Sequence, residues 1–238
     1  MCNTLGMAKA TTLRARVRAE MLDEIKQTAR RHLAVGGAAN LSLRAVARDL
    51  GMVSSAIYRY VPSRDELLTA LIIDAYNNLG DAAERAEAVV DRSDLAGRHA
   101  AICHAVRAWA LAHPHEYALT FGSPVPGYVA PEDTLGPGSR ISLALLRVIV
   151  DAVEAGVVRP QPGDWLAPPV QAEMAAISGR AAPAVPPTVM ARSVIAWTQL
   201  FGAVSFEVFG RTERIIADQD AWFDHQVLAM ARLVGLRP

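Results

Sequence analysis

The sequence predicts an all-α protein in which a small N-terminal three-helix head, carrying a helix-turn-helix, precedes a larger helical bundle. Three observations predict it. Apolar residues recur at helical spacing through most of the 238-residue chain, while alternating strand patterns are nearly absent. Ser, Asp, Gly and Pro stand where helices need starts and stops. A chain of this length that is 52% apolar suits a small head plus one sizeable core.

The first helix reads through Leu22, Ile25, Ala29 and Leu33 and stops at Gly36-Gly37, with residues 1–10 expected to be loose. Ser42 can then cap a short helix. Its Leu43, Val46, Ala47 and Leu50 fall at i, i+3, i+4 and i+7, and Gly51 follows where a left-handed stop is needed. A tight turn leads into a second short helix, residues 54–60. It keeps Ile57 for the core and leaves Ser54, Ser55, Ala56, Tyr58, Arg59 and Tyr60 projecting outward. Two short helices joined by a Gly-containing turn describe a helix-turn-helix. Pro62 precludes continuation, and Ser63 with Glu66 three positions later forms a capping box, with Asp65 well placed against the helix dipole. A long fourth helix therefore begins near Arg64. Leu67, Leu68, Leu71, Ile72, Ala75 and Leu79 hold its period until charges take over from Asp81.

Further on, residues 95–112 carry Ile102, Val106, Trp109 and Ala110 at helical spacing, and His113-Pro114 ends that helix. Residues 116–121 read as a short helix or turn, and residues 122–131 as a Pro/Gly-dense irregular loop. Residues 139–155 are apolar nearly all round, which suits a central helix. Linkers at residues 160–169 and 181–187 flank a helix near residues 170–178. A long helix at residues 188–209 aligns Met190, Val194, Trp197, Phe201, Val204 and Val208, and a last helix spans residues 220–233. The expected boundary separates a head, residues 1–62, from a body, residues 63–238.

The 24 basic and 24 acidic residues cancel, but not locally. Residues 1–60 hold ten basic against four acidic side chains, a net of +6, which leaves −6 for the remainder. A basic head on an acidic body is drawn to phosphate through one end only, the end with the helix-turn-helix. Cys2 and Cys103 provide no disulfide framework, which suits a reducing cytosol. No signal peptide is visible. The apolar run at residues 141–153 is interrupted by Arg147 and Asp151 and is too short to span a bilayer, so no membrane partner is expected. His99 and Cys103, with His113 and His115, suggest a metal site at first sight. The proline between the last two marks a helix end instead, and no metal is expected. Ser123 lacks a nucleophile elbow, and no P-loop or dinucleotide glycine pattern occurs, so neither catalysis nor a cofactor is expected.

Residues 41–68 resemble the DNA-binding segment of TetR-type (tetracycline-repressor-like) bacterial regulators. The resemblance rests on Ser42, Val46-Ala47, Gly51, Ile57-Tyr58, Tyr60 and Pro62-Ser63-Arg64-Asp65; Val53 and Val61 depart from the capping Ser/Thr and the Phe usual there. It implies that Ser42, Arg44 and Arg64 meet phosphates, and that Ser54, Ser55, Ala56 and Arg59 face base edges in the major groove. Tyr58 and Tyr60 would brace the sugar-phosphate wall, with packing under the turn an even alternative for Tyr60. Residues 197–210 resemble the penultimate helix of a subgroup named for a Trp-His-Gly signature, whose middle letter is not clearly present here. The family pairs its last two long helices between subunits. A homodimer joined through Trp197, Phe201, Val204 and Val208 would set two heads about one DNA turn apart on a near-palindromic operator.

The resemblance further implies a ligand-responsive regulator, a repressor, acting on the nucleoid in the bacterial cytoplasm. Its pocket would draw on Tyr76, His99, Cys103, Trp109, Tyr117, Phe121, Tyr128 and Ile149 and take a small apolar or aromatic effector. The alternative is a helical scaffold whose N-terminal helices bind a protein.

Overall fold

Helical periodicity is realised throughout. In the computed structural model, which describes residues 4–237 with side chains from Leu13 onward, no strand occurs among the described residues. The helices are α1 (Thr4–Gly36), α2 (Leu43–Asp49), α3 (Ser54–Ile57), α4 (Arg64–Ala88) and α5 (Leu95–Ala112). Then come α6 (Pro114–Phe121), α7 (Leu135–Glu154), α8 (Pro168–Ala181), α9 (Pro187–Val208) and α10 (Gln219–Val234). Short 3-10 turns at Ala38–Asn40 and Glu132–Thr134 were not anticipated. Of the segment expected to be loose, residues 1–3 lie outside the described residues, and from Thr4 the backbone is helical.

The chain divides into two compact units. The first runs to Ala75 and adds His115–Leu135; the second holds Tyr76–Pro114 and everything from Gly136. The expected boundary after residue 62 falls in the turn before α4, whereas the two compact units divide after Ala75, inside α4. The first unit also needs Leu67, Leu68 and Leu71 to close a core with Ile25, Ala29, Leu33, Leu43, Val46 and Ile57. Leu119, Val125 and Tyr128 of the second segment pack on the same core. Val61, where a Phe is usual, is buried in it.

Local signals explain the head. Gly37 and Gly51 adopt φ of +68° and +67°, left-handed values that stop α1 and α2. At the start of α4, the Glu66 N–H donates to Ser63 Oγ at 3.1 Å. Two expectations need correction. Ser42 occupies the N-cap of α2 with extended backbone, yet its hydroxyl makes no capping hydrogen bond and instead lines an open surface groove. The second short helix ends at Ile57 rather than residue 60. Both Tyr60 and Val61 N–H groups donate to the Ile57 carbonyl, at 2.9 and 3.0 Å, and close a turn ahead of Pro62.

In the second unit, α9 packs on α10, α8 and α5. The helix expected to be apolar all round, α7, is amphipathic. Ile141, Ala144, Leu145, Val148, Ile149 and Ala152 face inward, while Leu143 and Arg147 are exposed. Arg98 is buried and ion-paired to Glu87 at 2.5 Å and Asp151 at 2.7 Å, tying α5 to α4 and α7. Burial alone would lower its pKa, but the two carboxylates hold the guanidinium above its ordinary value. Gly80 leaves room for Arg140, whose Nε lies 2.6 Å from where a Cβ would stand, to reach Asp81 and Glu84.

Candidate nucleic-acid interface and apolar cavity

The turn between α2 and α3 fixes one buried and one free face on α3. Ile57 is fully buried, whereas Ser54, Ser55, Tyr58 and Arg59 are exposed and Ala56 is half-buried. Beside them lies an open groove lined by Ser42, Arg44, Arg48, Gly51, Val53 and Ser54, among others. The sequence reading passed over Arg48, although it follows Arg44 by one helical turn and its side chain is 80% exposed. Arg44 and Arg59 form no ion pair among the described residues. Free guanidinium groups beside exposed hydroxyls on a short helix suit phosphate and base-edge contacts respectively.

Other basic residues of the head are already engaged. Arg64 donates to the carbonyls of Ala38, Ala39 and Leu41 at 2.9, 3.3 and 3.2 Å, so the fork expected on phosphate holds the α1–α2 connection to the start of α4. Arg30 bridges Asp74 at 2.8 Å and Glu116 at 3.1 Å, and Lys26 meets Asp74 at 3.0 Å. Burial works against the Lys26 charge, but Asp74 and Asp23 keep its pKa above the ordinary value. Arg18 donates to the Arg59 carbonyl at 2.8 Å and lies over the Tyr60 ring, 5.5 Å from its centroid. Tyr60 is half-buried against the head core, the packing side of the two roles open to it.

The residues expected to line one pocket separate. Tyr117, Phe121 and Tyr128 belong to the first unit, where Tyr117 is fully buried and the Tyr128 hydroxyl meets Thr69 Oγ1 at 2.9 Å. In the second unit Trp109 is buried and stacks on His113 at 5.0 Å, and Tyr76 lies against Gly138. His99 and Ile149 do line a cavity, about 500 Å³ of empty space counted out to its open mouth, between α5, α7, α9 and α10. Cys103 sits beside His99, its Sγ 3.9 and 4.0 Å from the two ring nitrogens, and burial pushes the thiol up to about 12. Among the described residues no three His, Cys, Asp or Glu side chains converge on a metal position.

Trp197, of the expected subunit seam, also lines this cavity while staying 39% exposed. Trp197, Phe201, Val204 and Val208 step i, i+4, i+7 and i+11 along a single stripe. Val204 on that stripe is 0% exposed, and Phe201 makes an edge-on contact with Trp197 at 6.0 Å. The open apolar face of α9 is the opposite one, with Ile195, Gly202 and Phe206, and it continues onto Trp222 of α10. By length and composition α9 is apolar enough to cross a membrane, yet only 33% of its apolar window is buried within the chain.

Residues 25–71 match the model described as bacterial regulatory proteins, tetR family, and residues 99–230 match the tetracyclin repressor-like C-terminal domain. The HTH-type transcriptional regulator Rv1816 of Mycobacterium tuberculosis is 39% identical over 238 residues, 99% of each chain. Among solved structures, the regulatory protein SCO4313 is similar with a TM-score of 0.73 at 35% identity, over 91% of this chain and 97% of that one. RolR in complex with resorcinol shares the fold, with a TM-score of 0.54 at 17% identity, over 94% of this chain and 91% of that one.

Proposed function

The chain belongs to the TetR family of helix-turn-helix transcriptional regulators, and from that premise we propose that it is a homodimeric repressor released from a near-palindromic operator by a small apolar effector. Its relatives are regulators rather than enzymes, and DNA binding through the head follows from membership. The exposed side chains of α3 and of the turn that follows it carry the finer reading. Ser54, Ser55 and Arg59 reach base edges, while Arg44 and Arg48 meet phosphate from the neighbouring groove. Two heads held by a symmetric body read two half-sites about 34–36 Å apart. The protein acts on the nucleoid in the bacterial cytoplasm.

Two features of the second unit support the remaining parts. The open face on α9 and α10 offers a self-complementary seam, with Gly202 permitting close approach. The cavity holding His99 and Ile149 offers an effector site, lined mostly by apolar side chains with a few polar tips. RolR, a neighbour in fold, is known with bound resorcinol, a small aromatic. Release follows if the effector binds one arrangement of the heads better than the other, with α4, continuous from the first unit into the second, as the transmitting element.

The test is retention of fragments from the protein's own genome, followed by fluorescence anisotropy on the selected duplex. A palindromic site bound with a steep negative salt slope supports the reading. Salt-insensitive binding to a protein, with no duplex retained, would favour a scaffold instead.

A further inference from the structure

The cavity in the second unit contains no ionised side chain. Of its eleven lining residues none is Asp, Glu, Lys or Arg, and only His99, Ser142, Ser193 and Trp197, through its indole N–H, carry a polar group. Both hydroxyls are already committed as donors within their own helices. Ser142 Oγ donates to the Ser139 carbonyl at 2.8 Å and Ser193 Oγ to the Val189 carbonyl at 2.9 Å. His99 differs. It is 3% exposed, and among the described residues its ring nitrogens approach only Cys103 Sγ, at the outer limit for a sulfur contact. Burial lowers its pKa to about 4, so the ring is neutral at physiological pH, with one donor and one acceptor nitrogen.

A ligand entering such a site loses its hydration and meets apolar walls. A carboxylate or ammonium group would find no counter-charge there, and burying an unpaired charge is far costlier than burying a neutral polar group. A hydroxyl or carbonyl, by contrast, can complete the imidazole. We propose that this cavity selects an uncharged, mostly apolar effector bearing one hydroxyl or carbonyl that hydrogen-bonds His99, and rejects the carboxylate and amine of the same skeleton. The inference rests on the reading of the cavity as the effector site, and its test separates the two.

Four probes on one skeleton suffice: naphthol, naphthoate, naphthylmethylamine and naphthalene, titrated calorimetrically into the full-length protein at neutral pH. Naphthol is expected to bind at least about tenfold more tightly than either ion. His99→Leu should bring naphthol down to the affinity of naphthalene while leaving naphthalene itself unchanged, since a hydrogen-bonding site loses only its discrimination. Should His99→Leu not fold, Ser142→Asp on the half-exposed wall should raise the affinity for the amine and lower that for naphthoate. An ion bound by the unaltered protein as tightly as naphthol overturns charge selection and leaves the effector site standing. Naphthol binding insensitive to His99→Leu overturns the anchor, and a ranking insensitive to Ser142→Asp overturns binding in this cavity. If none of the four probes binds, the effector site fails and the inference with it.

Discussion

Arg18 donates from Nη1 to the carbonyl of Arg59 at 2.8 Å, so the longest helix of the head grips the turn that follows α3 at the residue proposed to read a base. The guanidinium also lies over Tyr60, fixing the turn that closes α3. A four-residue helix cannot hold its own geometry, and here a side chain from α1 supplies the constraint. Arg18→Ala is expected to weaken operator binding about tenfold by loosening that turn. Because Arg18 is engaged with the protein, the salt slope should stay the same. Anisotropy titrations at several salt concentrations measure both; a slope reduced by about one would make Arg18 a phosphate contact instead.

The arginines of the head divide by what they already touch. Arg59→Ala should cost about 1–3 kcal/mol of discrimination at one base position and relax specificity there. Arg44→Ala should weaken all sequences alike and lower the salt slope by about one. Arg64→Ala should act on folding, since three backbone carbonyls lose their donor: a loss of about 2 kcal/mol in urea unfolding is expected. An Arg64→Ala variant of unchanged stability but reduced salt slope would return Arg64 to the DNA surface.

That division explains what the sequence could disclose. Caps, glycine stops and helical periods are local, and α2, α3, α5, α9 and α10 were legible from them to within a few residues. The engagement of Lys26 and Arg30 was not legible, because their partners Asp74 and Glu116 stand tens of residues away and only tertiary packing brings them together. The same limit hid the segment His115–Leu135, which joins the first unit despite following α5. On α9, two apolar faces share one helix, and composition does not say which faces inward.

The open face of α9 makes a contrast between two neighbouring positions. Phe206 is 60% exposed and Val204 0%. If the open face is the seam, Phe206→Glu should leave a folded monomer by light scattering and reduce operator affinity, since one head reads only one half-site. Val204→Ala should leave the dimer intact and cost about 2 kcal/mol of stability through lost packing. Dimers that survive Phe206→Glu would place the seam elsewhere.

His99 also sets a pH window. Its pKa falls from an ordinary 6.5 to about 4 on burial, with no carboxylate beside it among the described residues and Cys103 a neutral thiol. The unfolded chain takes up the proton near pH 6.5 and the folded one only near 4, so the folded state is fully favoured above 6.5. Stability should fall as the pH drops from about 6.5 to about 4, by about 3 kcal/mol in all, and then cease to change on this account. Carboxylates held down by Arg140, such as Glu84, lose their stabilisation only below about pH 4.5, and so overlap just the foot of that window. His99→Gln keeps a polar side chain of similar reach and removes the titration. Urea unfolding of the two proteins from pH 4 to pH 8 should therefore show the unaltered protein losing about 3 kcal/mol relative to the variant toward the acid end, and parallel curves across that range would mean that the buried imidazole keeps its ordinary affinity for a proton.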